Sequence, residues 1–195
     1  TVGDPAAMID RLDGVLIIDD TGLGAMHAEL ATPFLEAGIA TFVDKPIALS
    51  WADARRLFDT AERHGAPLFS ASALAFAVER DPFQAELDRI GALSSVVSIG
   101  PGEWFNYGVH AVEMLLTVTG ARATRVHRHA YPERDVAVIE LADGPVAVVE
   151  TLRDAAYVFH LTAYGAAGHA SMEIADALGF YTGEMRAFAE MARRA

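Results

Sequence analysis

Three short apolar runs alternate with two helix-length amphipathic stretches across the first 75 residues, and this alternation limits the folds open to the chain. Residues 14–18 (Gly-Val-Leu-Ile-Ile) are continuously apolar, as in a strand covered on both faces of a parallel sheet. Residues 25–37 carry Leu30, Phe34 and Ala37 on one helical stripe, and Gly38 stands where a helix C-cap belongs. A second apolar run, 40–43, stops at Asp44-Lys45-Pro46. Ser50 reads as an N-cap, and Asp53 three residues on makes a weaker relative of the capping box. The helix it opens carries Leu57, Phe58 and Ala61 and ends at Gly65, and Pro67-Leu68-Phe69 is a third strand. Strand–helix–strand–helix–strand is the order of a doubly wound parallel sheet.

Beyond residue 75 the pattern changes. A helix over 82–89 leads to a strand over 95–99, a loop with Gly100, Pro101 and Gly102, and a helix over 107–118 ended by Gly120. Strands follow at 125–129, 136–141, 146–152 and 158–163, with a hairpin signal at Ala142-Asp143-Gly144, and a final helix spans 182–194. The fold expected is α/β plus α+β: a partial Rossmann-type parallel sheet, then a mostly antiparallel sheet domain with helices on one face. The division is expected between residues 72 and 80, giving domains 1–75 and 76–195.

Within this frame one residue stands apart. Lys45 is the only lysine among fifteen basic residues. Arginine stays protonated under nearly all conditions, whereas a lysine ammonium can be tuned and can trade a proton. Lys45 also lies at the carboxyl end of a strand, where open α/β sheets place their ligands. A solvated lysine retained by compositional drift is the plain alternative.

Composition excludes several classes. A net charge of −12 opposes a nucleic-acid or anionic-membrane surface. No run of 18 apolar residues is present to span a bilayer, and there is no cysteine for disulfide or thiolate chemistry. With no visible signal peptide, a cytoplasmic setting is expected. The chain opens on Thr1 rather than Met, which reads as a cut or processed start.

A second informative stretch is Glu103-Trp104-Phe105-Asn106-Tyr107-Gly108-Val109-His110. Asn106 and His110 are four apart and share a face if a helix begins here. Asn106 is a natural N-cap, and His110 would then lie in a first turn, where the helix dipole disfavours imidazolium and a neutral ring can relay a proton. Trp104, Phe105 and Tyr107 crowd the loop like a pocket wall. A core histidine satisfied by backbone is the plain reading of His110.

Other motifs carry less. Gly22-Leu23-Gly24 follows a strand and precedes a helix, but His27 stands where the dinucleotide fingerprint has its third glycine, and Asp19 and Asp20 oppose a phosphate. Asp20 could still face a cofactor's hydroxyls. His127 and His129 share a strand face without an evident third ligand, so no metal site is expected. His64, His160 and His169 read as ordinary surface or core residues.

At these residues the chain resembles the Gfo/Idh/MocA family, the glucose-fructose oxidoreductase and inositol dehydrogenase group. That family has a strand ending in Glu-Lys-Pro, here Asp44-Lys45-Pro46, followed by a helix opening in Ser or Thr, here Ser50. Its preceding strand ends near Thr-Pro-Asn and a His, here the altered Asp20-Thr21-Gly22 and His27. Its Asp-x-x-x-His helix reads Asn106 and His110 here. The resemblance implies reversible hydride transfer between NAD or NADP and a hydroxyl or carbonyl carbon of a sugar, polyol or related small molecule. It implies that Lys45 stabilises charge on the substrate oxygen, that His110 is the acid/base or its relay, and that Lys45 and His110 serve one site. Asn106, Tyr107 and Trp104 are then substrate-binding candidates, and Asp20, Thr21, His27, Asp44 and Pro46 cofactor-binding candidates. It also implies a homo-oligomer formed through the C-terminal sheet.

Two departures matter. Asn106 cannot ionise, so it can orient His110 but cannot stabilise an imidazolium. The Gly-rich loop and acidic ribose ligand of the family's first βαβ unit have no counterpart here, so a fragment that binds dinucleotide weakly is expected. The rival readings are a non-catalytic binding or scaffold protein that has lost the cofactor site, and a hydrolase or lyase that uses Lys45 and His110 without nicotinamide.

Overall fold

The computed structural model describes residues 5–142 and 144–194. Its contacts form two compact units, Thr1–Ala71 with Glu184–Ala195, and Ser72–Gly183.

The first unit holds a three-stranded parallel sheet of β1 (Gly14–Ile17), β2 (Ala40–Val43) and β3 (Leu68–Phe69), in the order β1-β2-β3. Gly14 pairs with Ala40 and Ile17 with Val43, so β1 and β2 end level at their carboxyl edge. Helices α1 (His27–Glu36) and α2 (Trp51–His64) pack Ala31, Phe34, Leu35 and Leu57 against Ile17 and Val43. Burying these apolar side chains contributes about 1.5–3 kcal/mol for each large one. On β2 all four residues are buried, as a central parallel strand requires. β1 departs from expectation. It is an edge strand of the sheet, and Leu16 is 44% exposed, with Ile18 just past its end 68% exposed. Phe42, Phe69 and Phe188 form an aromatic group with ring centroids 5.7–6.2 Å apart. Phe188 belongs to the last helix, α5 (Ala177–Arg194), which starts five residues earlier than the sequence pattern indicated.

Local chemistry explains the ends of α2. Ser50 Oγ accepts the Asp53 N–H at 3.0 Å, and Gly65 closes the helix in the left-handed region.

The second unit is a six-stranded mixed sheet with helices on one face. Its strands are β4 (Leu93–Pro101), β5 (Ala123–Ala130), β6 (Arg134–Leu141), β7 (Val146–Leu152), β8 (Phe159–Gly165) and β9 (Gly168–Ile174). They lie in the order β5-β6-β7-β4-β8-β9. Four pairings are antiparallel, and β4 with β7 is parallel. The β6–β7 hairpin forms as expected; Asp143 in its turn lies outside the described residues. β9 was not anticipated, yet it alternates strictly, with Ala170, Met172 and Ile174 buried. The buried face meets α3 (Arg80–Ile90) and α4 (Val109–Thr119), with Ile90, Met114, Leu115, Ile139 and Leu161 at the centre of the core.

On the opposite face Val97, Val136, Val138 and Val148 are only half-buried. None of the described helices is long and apolar enough to cross a membrane.

Candidate functional site

The first unit carries its candidate residues on backbone turns at the carboxyl edge of β1 and β2. Asp44, Lys45 and Pro46 leave β2 half-buried, and the Lys45–Pro46 peptide is cis. Among the described residues no carboxylate forms an ion pair with Lys45. His27 is 1% exposed, and its Nδ1 and Nε2 lie 2.9 Å from the Pro46 carbonyl oxygen and 2.8 Å from the Asp19 carbonyl oxygen. A carbonyl only accepts, so the ring serves there as a donor that ties the ends of two strands together. Asp20 and Thr21 are exposed, and Asp19 Oδ1 accepts the Thr21 N–H at 3.3 Å.

The Gly22-Leu23-Gly24 turn is explained by this brace. Gly24 has φ +85°, and a Cβ there would stand 2.7 Å from the His27 ring. The glycine lets an internal imidazole approach; a pyrophosphate is not needed to account for it.

The second unit carries its candidate residues around one π-helical turn, Trp104–Gly108, that runs straight into α4. This corrects two expectations. Asn106 lies within the turn, exposed, and is not an N-cap; Glu103 holds that place. His110 lies beyond the first helical turn, so the dipole argument that depended on a helix starting at Asn106 lapses.

A buried charge network fixes the start of the turn. Asp135 is fully buried and pairs with both Arg128 and Arg153. Arg153 also donates to Glu103 Oε1 at 3.0 Å and to the Tyr131 carbonyl at 3.0 Å. Arg128 lies over the Trp104 ring, 5.6 Å from its centroid. The end of the turn is set by packing: Gly102, at φ +66°, has the Tyr107 ring where a Cβ would stand, at 2.6 Å.

His110 is half-buried, with Ser72 Oγ 2.7 Å from its Nδ1. Ser72 is fully buried; its N–H donates to Glu113 Oε2 at 2.7 Å, and its Oγ caps the next turn by accepting the Leu74 N–H at 3.2 Å. Burial pushes the Glu113 carboxyl above the ordinary value, partly offset by the Ser72 N–H. Tyr107 and Phe159 stand against the His110 ring at 6.1 and 5.6 Å between centroids, and Tyr157 packs edge-on against both of them at 5.8 and 5.5 Å. Partial burial, then Tyr107 beside it, pushes the Tyr157 phenol up, so it stays a neutral donor.

Residues 2–72 match the model of an oxidoreductase family with an NAD-binding Rossmann fold, the Gfo/Idh/MocA family. The fold of the whole chain agrees with it. A protein of Magnetospirillum magnetotacticum MS-1 superposes with TM-score 0.84 at 18% identity, covering 99% of this chain and 77% of that one. Myo-inositol 2-dehydrogenase from Lactobacillus plantarum gives 0.81 at 13% identity, covering 99% and 74%. GenD2 from gentamicin A biosynthesis, solved in complex with NAD, gives 0.77 at 20% identity, covering 91% and 60%. No curated protein matches the chain by sequence.

Ser72 and Phe159 stand against His110, with Glu113 and Tyr157 one contact further out, and the sequence singled out none of the four. Glu113 was open to notice, three residues after His110 on one helix face. Ser72 is 38 residues away in the chain and carries no local signal. His127 and His129 lie exposed on β5, and no group of three metal-ligating side chains occurs among the described residues.

Proposed function

We propose that this chain serves an NAD(P)-dependent oxidoreductase acting on a hydroxyl or carbonyl carbon of a sugar, polyol or related small molecule. Lys45 carries the reading: the chain's only lysine leaves the central strand of a matched Rossmann segment, half-buried and without a carboxylate partner among the described residues. A bound nicotinamide supplies or takes the hydride. Lys45 donates to the substrate oxygen and stabilises negative charge as it develops there. His110 handles the proton, and the Tyr107, Tyr157 and Phe159 rings wall its side of the substrate. Asn106 orients a substrate hydroxyl in place of the family's carboxylate. Asp20, Thr21, Asp44 and Pro46 meet the nicotinamide end.

Because the Gly24 turn is filled by His27, this chain by itself holds a dinucleotide weakly, near millimolar, or about 4 kcal/mol. Calorimetric titration with NAD(H) and NADP(H) checks this; micromolar binding would mean that the turn grips the phosphates after all. The functional reading is tested by following nicotinamide absorbance in the native gene product across a panel of polyols, sugars and their keto forms. No turnover with either cofactor would favour a scaffold that has lost the chemistry, a reading to which the exposed, non-ionisable Asn106 lends some weight.

The half-buried valine row on the second unit's sheet supports self-association of two such faces. Sedimentation at tens of micromolar is expected to show a dimer or higher oligomer, and a strict monomer would count against it.

A further inference from the structure

We infer that Ser72 sets the tautomer of His110, holding the neutral ring with its proton on Nε2. Every hydrogen-bonding valence of Ser72 can be followed. Its N–H goes to Glu113 Oε2 at 2.7 Å. Its Oγ accepts the Leu74 N–H at 3.2 Å, which is the cap of the turn Ala73–Phe76. The hydroxyl proton is then left, and the one remaining partner of Oγ is His110 Nδ1 at 2.7 Å.

Two arrangements are possible. If Nδ1 carried a proton, it would donate to Oγ, and the serine's own proton would be stranded in a place with no solvent exposure at all. If the hydroxyl donates to Nδ1, every group is satisfied. Stranding a buried donor is costly enough to favour the second arrangement about tenfold or more. Nδ1 is then an acceptor, and the neutral ring carries its proton on Nε2.

Ser72 is too buried to be a nucleophile, and Glu113 binds its backbone rather than the imidazole, so the group is no hydrolytic triad. Ser72 acts through His110 and is a positioning residue. Glu113, on α4 with His110, fixes the serine backbone from the same helix that carries the ring.

The consequence for turnover rests on the reading of His110 given above; the tautomer itself does not. A neutral ring with Nε2–H donates a hydrogen bond to a substrate oxygen and polarises a carbonyl. Abstracting an alcohol proton at Nε2 requires the other tautomer, which obliges the Ser72 hydroxyl to turn its proton away from Nδ1. Giving up a proton to a substrate oxygen requires the imidazolium, whose second proton sits on Nδ1, so proton transfer in either direction obliges the Ser72 hydroxyl to turn.

Long-range nitrogen–proton correlation spectra of the folded chain, labelled with nitrogen-15 histidine, test the inference without any turnover. His110→Gln identifies the signal. The wild type should show Nδ1 unprotonated and Nε2 protonated at a pH where the ring is neutral. Ser72→Ala should lose that preference by about tenfold, giving mixed tautomers, and Ser72→Thr should restore it. A wild-type ring protonated on Nδ1, or a Ser72→Ala spectrum identical to wild type, would overturn the assignment. If Ser72→Ala does not fold, the wild-type spectrum decides alone. Absence of oxidoreductase activity would sink the functional reading and leave these spectra unaffected.

Discussion

His27 in the first unit and His110 in the second are both partly or wholly enclosed, and the atoms facing each ring separate their roles. His27 faces two backbone carbonyls, which cannot donate, so its ring is fixed as a brace between the ends of β1 and β2. His110 faces a serine hydroxyl, which can turn to donate or accept, so the ring can change its protonation without losing that partner. A histidine held by carbonyls serves the fold. One held by a hydroxyl can serve chemistry. The glycines follow the same division: Gly24 makes room for the brace, and Gly102 makes room for Tyr107 beside the His110 ring.

The brace carries the largest effect on stability. His27→Ala should destabilise the fold by about 2–4 kcal/mol, through a cavity and the loss of the ring N–H that serves a backbone carbonyl. Urea denaturation measures it, and a loss below about 1 kcal/mol would erase the contrast with His110. The opposite signature is expected of His110→Ala. It should cost about 10²-fold in turnover by the native enzyme while leaving denaturation midpoints nearly unchanged.

Smaller effects sharpen the comparison further. Gly24→Ala forces a positive φ on alanine and drives its Cβ into His27, so a loss of about 1–3 kcal/mol is expected. Gly102→Ala meets the same backbone strain beside Tyr107; its larger consequence should be a displaced aromatic wall, read as a rise in KM. The smallest change concerns Glu113. Its folded-state value is raised by burial, so the native state binds the extra proton. Stability from this group is full below the ordinary glutamate value and is lost as pH rises through the raised one. Glu113→Gln should remove that downward slope, and an unchanged pH profile of stability would place the carboxyl in water.

Much of this was legible in the sequence because it is local. The Ser50 cap, the Lys45 strand end and the β6–β7 hairpin each depend on neighbours within a few residues. β9 was legible and missed, since its small Ala170 and Ser171 dilute a genuine alternation. The parallel pairing of β4 with β7 brings together residues some fifty apart, which no local pattern encodes. The same limit hid Ser72 from His110 and Asp135 from Arg153. The error over Asn106 had another source. A capping residue type was taken for a cap, whereas the helical path begins earlier, in a π turn that the buried Asp135 network holds in place.

Lys45 offers the most direct test of the catalytic reading, because one substitution separates charge from chemistry. Steady-state turnover of the native enzyme on its best carbonyl substrate should be compared for wild type, Lys45→Ala and Lys45→Arg. Arginine keeps the charge and loses the compact, proton-trading ammonium, so both variants should fall by roughly 10²-fold or more. Near wild-type turnover in Lys45→Arg would contradict the assignment and leave Lys45 as an electrostatic anchor.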